Sequence, residues 1–366
     1  MASVEQFIAA YSSHSIYLER LAAGMGNKAT PYIESINDRV MKLFNNLPKR
    51  RLSDEQQRAI RKQVNEIVRE ELNEMVSEMK LSQRELGAYE AEWNDKVINA
   101  EIESDINTTI PSVTQIAAAV TATPIKVGDG RYTTYGKMFR DYTSNQVERI
   151  DGIVLNGFVN GQTNREIAAL VEQELPKWKG GAESQARTIA RTGTNHYATQ
   201  ARLTYEQEND KVIIAWESIS VIDSRTSTQC RALDRVQMKR SDPKWPSFVT
   251  PSHPNCRRVI IPVIDGRLKY DDSAAERPTN FVVNGKKDPK RVSSQKTYYE
   301  EMKKLSAADQ DLILGPSLGK AFRKLDDPDK FARYTIDQAS LQPLTLTEMK
   351  ARDNELSRLL RAQEHS

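Results

Sequence analysis

The chain has 366 residues, 28% of them charged and 38% hydrophobic, with 53 Lys and Arg against 50 Asp and Glu for a net charge of +3. That length is too great for one ordinary core and calls for two or three domains, and the composition is that of a folded chain with a large solvated surface. The mild charge excludes nucleic-acid binding argued on charge alone, two cysteines exclude a disulfide framework, and no apolar run nears the ~20 residues of a membrane helix.

In chain order, the start Met1-Ala-Ser-Val-Glu-Gln lacks the basic-then-apolar pattern of a signal peptide, so synthesis is expected in a cytosol. Residues 1–109 read as a helical N-terminal arm. Within it Ser53-Asp-Glu-Gln56 fits a capping box, and Ile60, Val64, Ile67, Val68, Leu72, Met75, Val76 and Met79 follow at helical spacing. That stripe is expected to be buried, within the arm or against another subunit. Pro111, Pro124, Gly128 and Gly130 punctuate 110–131, which reads as an extended linker. A helix is predicted from Tyr132 to Phe158. Gly161-Gln-Thr163-Asn-Arg-Glu166 is a second capping box, opening a short helix that Pro176 closes. Gly180-Gly181 then separates it from a long helix running to Asn209. Gly193 on that helix predicts close approach of another backbone, since an interior glycine costs ~1 kcal/mol against alanine.

Two β-branched runs, Val212 to Ile222 and Arg257 to Ile264, predict an antiparallel hairpin over 211–265. Residues 266–296 are polar and read as irregular, with helical patches at 296–313 and 345–363. The basic clusters Lys49-Arg50-Arg51 and Lys286-Lys287 through Lys290-Arg291 read as solvated surface. The expected fold class is α+β and mostly helical: an arm over 1–109, a helix-plus-β-hairpin core over 110–265 and a helical C-terminal region over 266–366.

Pairing the two runs brings Asp223, Cys230, His253 and Cys256 to the mouth of one hairpin. Cys230, His253 and Cys256 are three soft-to-borderline donors, and Asp223 is the candidate to complete a tetrahedral Zn²⁺ shell. A disulfide, or a reduced buried pair with His253 capping the loop, would account for the same residues. A thiol nucleophile at Cys256 beside His253 is the catalytic rival. No zincin, P-loop, nucleophile-elbow or dinucleotide fingerprint occurs. His196 reads as a helix polar-face or core residue, and His14 and His365 carry no signal.

At these residues a family resemblance is visible. Ala186-Arg-Thr-Ile-Ala-Arg191-Thr, Trp216, Asp223-x-Arg225 with Cys230, and Pro251-Ser-His253-Pro254-Asn255-Cys256-Arg257 follow one another in an order that resembles the phage Mu F-like head morphogenesis, or minor head protein, family. Gly193 stands where that family often has Glu, Ser227 where it often has a first Cys, and Arg258 where it often has a last Cys. Tyr298-Tyr299-Glu300, Leu314-Gly315-Pro316 and Pro343-Leu344-Thr-Leu346 resemble the tail of such proteins, so the likeness runs over about 160–350. The resemblance implies structural roles for Arg191, Trp216, Asp223, Arg225, Pro254 and Arg257. It also implies a minor structural protein of a tailed-phage head, made in the bacterial host cytoplasm and placed inside the head or at its vertex. Its partners would be the portal or the major capsid protein, with packaged double-stranded DNA as a further one and no membrane. No catalytic residue follows from it. The rivals from other classes are a metal- or thiol-dependent enzyme at Cys230, His253 and Cys256, which needs a cleft beside the loop, and a nucleic-acid-binding module.

Overall fold

The computed structural model describes residues 7–101, 107–128, 130–210, 212–264, 275–352 and 357–358. The N-terminal helices are α1 (Phe7–Asn27), α2 (Ala29–Asn45) and α3 (Asp54–Glu101). On α2, Ile33, Ile36, Val40 and Phe44 recur at helical spacing and are all buried. The α3 stripe from Ile60 through Met79 is buried as expected in one core with α2, with Ile67 partly buried against it. Ser53 opens α3 through the expected box: its hydroxyl accepts from the Gln56 amide at 3.3 Å and the Gln56 side chain accepts from the Ser53 amide at 3.1 Å.

The segment read as an extended linker is instead structured. A third capping box, Ser112 with Gln115, starts α4 (Val113–Ala122), whose Ile116 and Val120 are buried in the helical core. Strands β1 (Ile125–Gly128) and β2 (Arg131–Thr133) then form a small antiparallel hairpin, so α5 (Tyr135–Val159) begins three residues later than expected. The prolines and glycines belong to the ends and the turn of these elements, with Gly128 and Gly130 at positive φ.

Helix α6 (Asn164–Glu208) runs unbroken through Pro176 and Gly180-Gly181, where a stop and a separation were expected. Interior proline costs about 3 kcal/mol. Leu175 and Trp178 continue the stripe of Ile167 and Val171 into the core, and each such burial returns roughly 1.5–3 kcal/mol. Packing wins. Gly193 does face a close neighbour, though a side chain rather than a backbone: a Cβ there would lie 2.5 Å from the Gln83 amide. Gln83 is itself held by a bond to the Ala190 carbonyl at 3.1 Å and one from the Tyr135 hydroxyl at 2.6 Å.

The expected hairpin is present. Strand β3 (Ile213–Ser220) pairs antiparallel with β6 (Arg258–Ile264), Ser220 opposite Arg258 and Ile213 opposite Ile264. Between them lie β4 (Ile222–Asp223), α7 (Thr228–Ala232), β5 (Gln237–Met238), which pairs on the other edge of β3, and α8 (Trp245–Phe248). The chain leaves the first sheet at Val221, because β4 pairs in parallel with β7 (Glu276–Val283) of a second sheet. Residues 275–296, read as irregular, fold into the hairpin of β7 with β8 (Lys286–Ser293). Its turn is Asn284-Gly285, both at positive φ, a two-residue connection whose twist matches the strands. Strand β8 exposes Lys286, Lys287, Lys290 and Arg291, the expected solvated surface.

Short helices α9 (Tyr298–Met302), α10 (Ala307–Leu314), α11 (Pro316–Leu325), α12 (Pro328–Thr335) and α13 (Leu346–Arg352) close the described chain. The expected patch at 345–363 lies largely beyond the described residues after Arg352, and His365 falls outside them. The fold is thus mostly helical α+β. Two apolar cores share α6: its Ile167–Ala201 stretch serves the helical core, while Leu203 and Tyr205 enter the core around the β3–β6 hairpin. Between the cores, buried Arg202 donates to Glu90 of α3 at 2.9 Å and to the Ile260 carbonyl of β6 at 3.2 Å. Among the described residues no helix is long and apolar enough to cross a membrane.

Candidate functional site

The site forms where β3 ends and β6 begins. After β4 the Asp223 carboxylate accepts from the Arg225 amide and the Thr226 hydroxyl, both at 3.0 Å, a local turn that competes with further strand pairing. Ser227 then N-caps α7, its Oγ accepting from the Cys230 amide at 3.3 Å, and so sets Cys230 on the first turn of that helix. On the other side the Cys256 amide donates to the His253 carbonyl at 3.2 Å, closing a tight turn with Asn255 at φ 57°. Asparagine tolerates that left-handed conformation.

Helix α6 holds this turn. Arg191 donates to Asn255 Oδ1 at 2.7 Å, the Asn255 amide donates to Thr192 Oγ1 at 3.3 Å, and Asn255 Nδ2 donates to Thr188 Oγ1 at 3.2 Å. One turn on, Asn195 Nδ2 caps the carbonyls of Cys256 at 3.2 Å and Arg258 at 2.9 Å. The backbone entering β6 therefore has its polar groups satisfied by the face of α6 that carries Arg191.

The structure brings Cys230, His253 and Cys256 together. Their donor atoms all lie within 4.8 Å of one another, with Cys230 Sγ 3.2 Å from His253 Nε2 and 3.7 Å from Cys256 Sγ. Both thiols are free and buried, and His253 is half-buried. The expected convergence at the hairpin mouth is therefore found. Burial acts to raise the Cys230 thiol, but bonds from Cys256 and Ser227, the Arg257 amide and the Arg258 charge together bring it down to about 6. Burial and the adjacent Cys230 push Cys256 well above its usual range. The pair thus favours one thiolate sharing the Cys256 proton.

Asp223 is not in this cluster. Its oxygens take both arms of the Arg257 guanidinium, at 2.5 and 3.2 Å, in a bidentate bond with only a few per cent of either side chain exposed. Arg257 also donates to Glu19 of α1 at 2.7 Å, and Arg191 stands 3.2 Å from the same carboxylate. Asp223–Arg257–Glu19–Arg191 is a continuous charge brace over α1, α6 and the hairpin. Arg225 lies mostly in solvent, 3.7 Å from Asp223. Pro254 supplies the carbonyl 2.8 Å from His253 Nδ1. Trp216 is away from the cluster, fully buried in β3, with its indole N–H on Glu206 at 2.9 Å.

Three participants had no role in the sequence reading beyond departures or silence. Ser227 Oγ lies 2.8 Å from His253 Nε2. Arg258 is buried, donates to Ser218 at 3.1 Å and Ser252 at 3.2 Å, and lies over the Phe248 ring. Glu19 carries no local signature, since a carboxylate on an amphipathic helix looks like any solvated one. Of the other histidines, His196 is a core residue whose Nε2 bonds the Val120 carbonyl at 3.0 Å, with burial lowering its pKa to about 4. His14 is buried against Glu90 and stacks on Trp93.

The order of these residues along α6, β3 and the two turns is what a family comparison reads, and residues 148–261 match the family model described as Phage Mu protein F like protein. Over that segment the chain is similar to the Phage Mu F-like family. The match begins within α5 and ends in β6, taking in the whole of α6 and both turns of the site. It supports a place among phage head-morphogenesis proteins and an association with the virion. Tyr298-Tyr299, Leu314-Gly315-Pro316 and Pro343-Leu344 lie beyond it. No curated protein and no solved structure matches the chain.

Proposed function

We propose that this chain is a minor structural protein of a tailed-phage head that acts by binding and assembly. The observation that carries the reading is the match over residues 148–261, a segment that holds the cysteine–histidine turns and, of the charge brace, Arg191, Asp223 and Arg257 but not Glu19. In its finer terms the protein enters the procapsid beside the portal, touches the portal or the major capsid protein, and bears on DNA packaging or ejection. The site's chemistry supports a role without catalysis. Asp223, Arg257 and Arg191 are engaged in internal ion pairs, and both thiols are sealed, with Cys230 at 0% exposure. A catalytic group must meet a substrate atom at bonding distance, which a sealed sulfur does not. Mass spectrometry of purified virions and procapsids tests the reading. The chain is expected in at least one of the two particles, and absence from both overturns it.

One observation favours a second reading, a thiol enzyme: the lowered Cys230 thiol stands 3.2 Å from an imidazole. Brief iodoacetamide treatment of the folded protein separates the two. A thiol enzyme labels rapidly at Cys230 and labels slowly once His253→Ala removes the imidazole, whereas the assembly reading expects slow labelling of both proteins.

A further inference from the structure

We propose that Cys230 Sγ, His253 Nε2 and Cys256 Sγ form a site for a zinc-type divalent cation, with Ser227 Oγ as the fourth donor. The inference is independent of the head-assembly reading. It rests on three pieces of geometry.

The first is the sulfur spacing. Cys230 and Cys256 are 3.7 Å apart. A disulfide requires ~2.05 Å. Two thiolates on one tetrahedral Zn²⁺, each at ~2.3 Å, stand roughly 3.8 Å apart. The sulfurs are therefore set as two corners of a tetrahedron.

The second is the imidazole. His253 Nδ1 lies 2.8 Å from the Pro254 carbonyl oxygen, which can only accept, so Nδ1 carries the proton of the neutral ring. Nε2 then presents a bare lone pair toward the sulfurs. A backbone carbonyl fixing one imidazole nitrogen while the other takes the metal is the usual support of a histidine ligand.

The third is the remaining corner. Asp223 is committed to Arg257, whereas Ser227 Oγ lies 2.8 Å from Nε2 on the half-exposed side. The cation enters from that side, and the one proton that the two sulfurs share leaves to solvent. Two thiolates and an imidazole select Zn²⁺ over Mg²⁺ or Ca²⁺, which require oxygen shells. The bound ion would clip α7 to the turn before β6, joining two loops that share few apolar side chains.

The test is Co²⁺ titration of the reduced full chain, purified without added metal and read by absorption. A single equivalent of Co²⁺ is expected to develop sulfur-to-cobalt charge-transfer absorption and intense tetrahedral d–d bands, both bleached by equimolar Zn²⁺. Ser227→Cys adds a third sulfur and is expected to raise the charge-transfer intensity about 1.5-fold, while Cys256→Ser halves it. Only the weak spectrum of hydrated cobalt from the wild-type chain overturns the site, as does an intact mass showing a Cys230–Cys256 disulfide before any oxidant is added. Unchanged intensity in Ser227→Cys removes Ser227 from the shell and overturns the four-donor assignment. The wild-type titration needs no variant, so a substitution that fails to fold leaves the test intact.

Discussion

Arg257 is the residue on which the site's charges converge. Its guanidinium meets Asp223 and Glu19 with almost no water, where an ion pair is expensive to form and more expensive to break. Arg257→Ala leaves a buried carboxylate facing a void. We expect a loss of about 3–5 kcal/mol in denaturant melts. A loss under about 1 kcal/mol, typical of an exposed pair, would show that solvent already screens the brace. His196 supports a pH prediction of definite sign. Its folded pKa is near 4 against 6.5 in the unfolded chain. Between those values the unfolded state binds the extra proton, so stability falls as pH drops through that window. The shift is worth about 3 kcal/mol at its low end. His196→Gln keeps a donor for the Val120 carbonyl without the titration. Compared with this variant, wild type is expected to lose about 3 kcal/mol more between pH 7 and pH 4. Parallel stability–pH curves would refute the assignment.

At the scale of elements, α6 shows local signals overruled by burial. Pro176 removes one backbone bond inside a helix that the apolar stripe holds together. Pro176→Ala restores that bond and is expected to stabilise the fold by about 1–3 kcal/mol, read as a higher melting temperature. A destabilised variant would mean that the helix needs a proline bend there. The same contest decides what the sequence discloses. Capping boxes at Ser53 and Thr163, the α3 stripe, the β3–β6 hairpin and the convergence of Cys230, His253 and Cys256 are legible, because spacing and turn chemistry carry them within a few residues. The β7–β8 hairpin carries a legible signal in Asn284-Gly285, but Pro278 and Pro289 read as breakers. They fit because β4 covers only two residues of β7 and β8 is an edge. Ser112 announces α4 in the same way, against the prolines around it. Glu19 is illegible: nothing near it in the chain shows that it will meet Arg191 and Arg257.

At the scale of the whole molecule, α6 belongs to both cores, and Arg202 ties Glu90 of α3 to β6 between them. Neither core can lose its order without taking helix from the other. We therefore expect one unfolding transition. Trp178 reports on the helical core and Trp216 on the hairpin core. Single-tryptophan variants keeping one or the other should give melts that coincide with far-ultraviolet circular dichroism. Two separated midpoints would show that α6 breaks between the cores.

The Glu19–Arg257 contact also has a consequence in time. Its partners are 238 positions apart in the chain. At bacterial translation rates α1 emerges from the ribosome roughly 12–48 s before β6 exists to receive it. During that interval Tyr11, Leu18 and Met25, all buried in the finished protein, have no complete surface to cover them. Nascent chains arrested before Cys256 are therefore expected to be cut within α1 by brief protease treatment. Chains arrested well beyond β6 should resist, and early resistance would mean that α1 finds shelter on the first helices alone.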